Sequence, residues 1–329
     1  MNNILNRDNS RLYDGDDLCA EIDKFFQEQK SEWEFLKFKF DNLAHVEVRE
    51  IKLNDISIIL QFNPDRIHST AADIDKHLVT PKECFLCSDN RPKEQRGIKY
   101  GKYFEILCNP FPIFKDHLTI LKLKHTPQSL VLHLNEFLYI TRDLGEKYTL
   151  FYNGPRCGAS APGHMHFQAI TKGILPVEKD FDSLKNDFVP TRFTNDKISV
   201  NLCKNYLRYF ISIESESNKE ITLFIKSFNN ILKKISPRGQ EPLMNVLANY
   251  ENGYWRLIIF PRAKHRPSQY FETGARQLIV SPAAVDLGGM FITPRKEDYD
   301  KITKEDVLEI FRQVSVTREQ FDYLQSKLV

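Results

Sequence analysis

No run of ~18 apolar residues occurs in this sequence, so no membrane-spanning helix is expected. Charge of one sign is not in excess either. The 46 Lys and Arg stand against 44 Asp and Glu, a net of +2. A dedicated nucleic-acid binder usually carries a basic face, and this balance argues against one. It leaves room for a small phosphate-binding pocket. The first residues, MNNILNRDNSRLYDGDDLC, are polar and acidic and lack the basic-then-apolar order of a secretory signal. A cytoplasmic protein with no membrane or nucleic-acid partner is the expectation. Cysteine is scarce: Cys19, Cys84, Cys87, Cys108, Cys157 and Cys203 are all there is in 329 residues. In a reducing compartment that is not a disulfide framework. No low-complexity linker divides the chain, whose 41% hydrophobic content suits one large domain or two medium ones.

Apolar spacing predicts a helix from Asp16 to Leu43. HVEVREIKLNDISIILQFNP alternates and breaks at Asn54-Asp55, which predicts a β-hairpin. KYFEILCNPFPIFKDHLTILKLKH predicts two strands joined by a turn at Asn109 to Pro112. A helix should follow from Thr126 to Tyr148, with Thr126 as its cap and Pro127 in its first turn. YTLFYNGP is a strand, RCGASAPG a small-residue loop, and HMHFQAI a further strand. Ser183 to Cys203 looks like a connecting region. The second half offers a hairpin turning at Asn252-Gly253 and a closing helix from Lys304 to Leu328. Both halves contain strand, turn, strand and then Lys-His (Lys124-His125 and Lys264-His265), a weak internal repeat.

The chemistry-bearing residues cluster in two places. In a strand, His164, His166 and Gln168 would share one face, while Met165, Phe167 and Ala169 pack into a core. The loop before them is rich in Gly and Ala, so its backbone N–H groups can approach an anion. A histidine beside such a cradle suggests phosphorus chemistry, because a neutral imidazole is a competent nucleophile. Two ordinary histidines on a half-exposed strand would explain the pattern equally well taken alone. The second cluster is Cys84-x-x-Cys87, two soft ligands in a compartment where thiols stay reduced. His125 and His164, each at a strand end, complete a Cys2His2 set. A redox pair is the bland alternative, but it usually sits between a strand and a helix.

CFLCSDNRP, NPFPIFKDHLTILKLKH and NGPRCGASAPGHMHFQAI together resemble the galactose-1-phosphate uridylyltransferase / GDP-galactose phosphorylase-like branch of the histidine-triad superfamily. FNPDRIHSTAAD before the cysteines fits the same branch. The resemblance is sharp from Asn63 to Ile170 and looser from Asn245 to Pro294. It implies an α+β fold of two histidine-triad-like halves, each an antiparallel sheet flanked by helices. Residues 1–180 would form the half with zinc and the catalytic motif, and 181–329 a degenerate half. It also implies that His166 is the nucleophile and that Gln168 holds a phosphate oxygen. Asn153 and Ser160 would contact phosphate or sugar. Cys84, Cys87, His125 and His164 would hold a structural Zn2+, with His117 as the alternative to His125. The loop is one residue longer than the family's, since Gly163 separates Pro162 from His164, which bears on Ser160.

The implied function is nucleotidyl transfer or phosphorolysis. A nucleotide sugar or dinucleotide would donate a nucleoside monophosphate, and phosphate or a sugar phosphate would accept it. A nucleotide hydrolase and a catalytically degenerate zinc-stabilised nucleotide-binding protein are the alternatives. A homodimer is an open option. Arg262, Lys264, His265 and Arg266 either receive an acceptor phosphate or form a solvated strand end.

Overall fold

The computed structural model describes residues 17–53, 56–70, 80, 82–237 and 241–329. The turn expected at Asn54-Asp55 lies outside them. In chain order the elements begin with α1 (Leu18–Glu32), α2 (Glu34–Asn42), β1 (Glu47–Leu53), β2 (Ile56–Phe62) and α3 (Ile67–Thr70). Then come β3 (Ile98–Tyr100), β4 (Phe104–Cys108), β5 (Leu118–Lys122), α4 (Leu134–Asp143), β6 (Tyr148–Asn153), β7 (His166–Thr171) and α5 (Pro176–Leu184). The second half holds β8 (Phe188–Pro190), β9 (Ile198–Cys203), β10 (Phe210–Ser215), α6 (Asn218–Leu232), β11 (Met244–Glu251) and β12 (Tyr254–Pro261). It closes with α7 (Ala284–Leu287), β13 (Met290–Thr293), α8 (Lys296–Lys301), α9 (Lys304–Val314) and α10 (Arg318–Leu328).

Ten strands form one antiparallel sheet in the order β3-β4-β5-β7-β6-β11-β12-β10-β9-β8. That order is symmetric about its centre. Each half contributes three strands, a helix and a hairpin, and the halves join where β6 pairs with β11, from Asn153↔Asn245 to Leu150↔Ala248. The fold is thus α+β, two histidine-triad-like halves with antiparallel strands flanked by helices. The Lys-His pairs do not mark this repeat. His125 follows β5 and His265 follows β12, whereas the counterpart of β5 is β10. The boundary expected at residue 180 falls inside α5. A smaller sheet, β1-β2-β13, adds the only parallel pairing among the described residues, β2 with β13.

Period-two alternation sends the central strands' side chains to two cores. Leu150, Tyr152, Phe167 and Ala169 pack with α1, α4, α6 and α10 on one face. Phe151, Ile170, Leu247 and Phe260 pack with α5, α7, α9 and the small sheet on the other. Helix α6 shows why these helices form. Ser217 caps it by accepting from Glu220 N, and Ile221, Phe224, Ile225, Phe228 and Leu232 make one buried stripe.

Several expectations change here. The helix read from Asp16 to Leu43 breaks at Trp33, whose backbone is extended. The closing helix is two helices, each restarted by a threonine cap, Thr303 and Thr317. The presumed connector 183–203 contains β8 and β9, and β10 and α6 had no counterpart among the expected elements. Helix α4 begins at Leu134, not at Thr126, because residues 126–130 are tied instead to the motif loop and to Glu241. The strand expected from His164 starts at His166, and His164 sits in the bend before it, its N–H bonded to Ala161 O at 3.0 Å.

Candidate active site and metal centre

The turn at Cys84 to Cys87 closes through Cys87 N–H to Cys84 O at 3.0 Å, and Asn90 Nδ2 also donates to that carbonyl at 2.8 Å. His125 follows β5 and His164 precedes β7, two adjacent antiparallel strands, so their rings meet at one end of the sheet. Cys84 Sγ lies 3.3 Å from His164 Nδ1, and Cys87 Sγ lies 3.3 Å from His125 Nδ1 and 3.6 Å from His164 Nδ1. All four ligand atoms lie within 4.8 Å of one another. A tetrahedral ion with bonds of about 2.3 Å to sulfur and about 2.0 Å to nitrogen separates such ligands by roughly 3.5 Å. His164 Nε2–H donates to Lys122 O at 2.7 Å, which leaves Nδ1 as the free donor atom aimed at the sulfurs. The residues therefore fit a bound metal. His117 stands apart from this cluster, bonded to Gln168.

His166 opens β7 opposite Leu121 of β5 and is buried. Its Nδ1–H donates to His164 O at 2.8 Å, which places the lone pair on Nε2. Nε2 meets no protein partner among the described residues. Burial pushes the ring's pKa down to about 4, so it is neutral at physiological pH. Gln168 follows two residues later on the same face, half-buried. Asn153 ends β6, with Oδ1 accepting from Asn245 Nδ2 at 2.8 Å and Ala284 N at 2.9 Å. Only its Nδ2 remains for a ligand. Ser160 is half-buried in the loop and makes no hydrogen bond among the described residues.

That loop is shaped by one glycine. Gly158 has φ +91°, and a Cβ there would lie 2.5 Å from Ala283 Cβ. The N–H groups of Gly158 and Ser160 have no hydrogen-bond acceptor among the described residues. Such unused backbone donors are what an anion needs.

The family model described as "Domain of unknown function (DUF4922)" matches residues 25–171, and the one described as "GDPGP1-like, C-terminal domain" matches residues 179–329. Residues 179–329 are thus similar to a GDPGP1-like C-terminal domain, in line with the resemblance read from the motifs. Crystal structures agree in fold. Yeast Ap4A phosphorylase superposes with a TM-score of 0.52 at 16% identity, covering 86% of this chain and 93% of that one. Its complex with AMP gives 0.51 at 16% identity, over 86% and 97%. No curated protein matches the chain in sequence.

Arg262 is a strut. The side chain is buried, and all five of its N–H groups are engaged. They reach Val314 O at 3.0 Å, Pro282 O at 2.9 Å, Lys264 O at 3.0 Å, His265 O at 3.1 Å and Asn245 Oδ1. No N–H of Arg262 is left over for a phosphate. It holds Asn245, which holds Asn153, so the second half braces the site of the first.

Sequence patterning gave no sign of Gln128. The β6–β7 ladder stops at Phe151↔Gln168, two pairs short of Asn153 and His166. Gln128 fills the opening. Its Oε1 accepts from His166 N at 3.0 Å, while Nε2 donates to His166 O at 3.2 Å and approaches Asn153 O at 3.4 Å. Its place right after Thr126-Pro127 gave a helix-cap signal that concealed it.

Proposed function

We propose that this protein is a nucleotidyltransferase or phosphorylase that carries a nucleoside monophosphate on His166. The observation behind this is the ring itself: neutral by burial, anchored through Nδ1, and free at Nε2 among the described residues. The donor would be a nucleotide sugar or a dinucleotide. The lone pair of His166 Nε2 forms a P–N bond at the α-phosphorus, and the P–O bond to the leaving phosphate breaks, its oxygen keeping the electron pair. An oxygen of phosphate or a sugar phosphate then attacks the same phosphorus, the P–N bond breaks, and Nε2 regains its lone pair. Two displacements at one centre imply ping-pong kinetics.

Gln168 and the N–H groups of Gly158 and Ser160 stabilise charge on the non-bridging oxygens. Asn153 Nδ2 and the Ser160 hydroxyl contact phosphate or sugar. A Zn2+ held by Cys84, Cys87, His125 and His164 would have four protein ligands and no open position, so its contribution is structural. Water is the poorer acceptor, since the Gln168 amide does not supply a proton as an imidazolium would.

Incubation with a panel of nucleotide sugars and dinucleoside polyphosphates, without acceptor, tests this by intact-protein mass spectrometry. A mass gain of one nucleotide, mapped to His166 and absent from His166→Gly, is expected. An adduct elsewhere, or full turnover by His166→Gly, overturns the reading.

A further inference from the structure

His117 is a motif histidine that neither the metal cluster nor the proposed chemistry uses. It directly precedes β5 and is almost fully buried, at 1% exposure. Its surroundings decide where its proton sits. Ile113 N–H donates to its Nδ1 at 3.3 Å, and a backbone amide can only donate. Nδ1 therefore carries a lone pair. Burial holds the ring neutral, with its pKa pushed down to about 3, and the Arg66 guanidinium acts in the same direction. The proton of the neutral ring is then on Nε2, an assignment made from the hydrogen-bond network.

That Nε2–H meets the Gln168 side chain at 2.9 Å. Of the two amide atoms only Oε1 can accept from it. Asn109 does not compete for the contact. Its Nδ2 donates to Thr119 Oγ1 at 3.0 Å and its Oδ1 accepts from Phe111 N at 2.9 Å. Its 3.4 Å approach to His117 Nε2 brings donor to donor. The amide of Gln168 thus has its oxygen turned toward His117 and its NH2 turned away. Nε2 of Gln168 donates to no protein group among the described residues.

We propose that His117 is a positioning residue that fixes the Gln168 amide so that its NH2, not its carbonyl, faces the phosphate being transferred. The inference rests on the reading that His166 carries the nucleotide. A freely flipping amide would present a carbonyl oxygen to a phosphate oxygen half the time, replacing attraction by repulsion at the moment charge develops.

The test compares wild type, His117→Leu, His117→Gln, Gln168→Ala and the double variant His117→Leu/Gln168→Ala, with the best donor. His117→Leu should lower kcat by about tenfold or more, on the scale of losing one transition-state donor, with KM changed by no more than about twofold. His117→Gln, which can still donate to Oε1, should recover most of that loss. In the Gln168→Ala background the leucine substitution should cost nothing further. Equal losses in both backgrounds, or a KM effect at constant kcat, overturn the proposal.

A second measurement is independent of turnover. In 15N-histidine-labelled wild type, His117 should show a protonated Nε2 and an unprotonated Nδ1 from about pH 5 to 9, far above its depressed pKa. The opposite tautomer, or a titration in that range, overturns the proposal even if transfer proceeds as described. Should no donor label His166, the functional reading falls and the tautomer still decides whether His117 orients Gln168. If the leucine variant does not fold, the glutamine variant and the nitrogen spectrum decide between these outcomes.

Discussion

Replacing Gln128 by alanine should damage the site more than any loss of volume would suggest. The side chain makes three hydrogen bonds to backbone groups of His166 and Asn153 in a buried place, at 3.0, 3.2 and 3.4 Å, and its Nε2 also comes within 3.4 Å of His166 Nδ1. Each such bond is worth about 1 kcal/mol net, and a buried group left without a partner costs about 1–3 kcal/mol. Three groups are orphaned together, and the bond at 3.4 Å is weak, so a loss of about 3 kcal/mol in unfolding free energy follows. The catalytic effect is separate. With the wedge gone, nothing holds the His166 backbone at its set distance from Asn153, so the ring can shift. A ring displaced by about 1 Å from its line of attack costs on the order of 100-fold in rate. Urea unfolding at equilibrium and single-turnover formation of the His166 adduct measure the two effects. An alanine variant within about 0.5 kcal/mol and twofold of wild type would refute the role assigned to Gln128.

Cys84→Ser should strip the metal, read by elemental analysis of freshly purified protein; stoichiometric metal retained in the variant would contradict the four-ligand assignment. Chelation of wild type should lower stability in parallel with metal loss. Gly158→Ala combines positive φ with a 2.5 Å approach to Ala283, and should cost about 1–3 kcal/mol in thermal or urea unfolding. Glu241 has its carboxyl pKa raised from 4.5 to about 7, chiefly by burial, with hydrogen bonds from Tyr152 and Leu130 opposing. A raised folded-state pKa means stability present below about pH 4.5 and lost as pH rises through about 7, so wild type should lose up to about 3 kcal/mol relative to Glu241→Gln over that window. Parallel pH profiles for the two proteins would remove Glu241 as the cause.

The parts of this site that were legible in the sequence are those with local spacing. Cys84 and Cys87 are three residues apart, and His125 and His164 each lie beside the end of a strand, so their meeting follows once the strands are recognised as neighbours. Alternation also placed Met165, Phe167 and Ala169 in the core, and all three are fully buried. What stayed hidden depends on partners far apart in the chain. Gln128 reaches His166 across 38 positions, Asn245 reaches Asn153 across 92, and His117 reaches Gln168 across 51. No periodicity encodes such pairs. Thr126-Pro127 carries a good helix-start signal, and tertiary hydrogen bonds to the motif loop overrode it. The connector 183–203 hid β8 and β9 because one has three residues and ends in proline, and the other is only half alternating in burial.

The ten-stranded sheet has two outer edges, β3 and β8, and both are three residues long. An unpaired edge invites strands from other molecules, which is how many sheets begin to aggregate. Here the invitation is brief at either end. Pro190 removes a donor from β8, and exposed Lys99 would place a charge between any incoming chain and β3. The long strands that could template such growth, β11 and β12 with eight residues each, lie at the centre, where each half of the chain occupies the place a stranger would take. The chain is thereby spared the commonest route by which a large open sheet leaves solution.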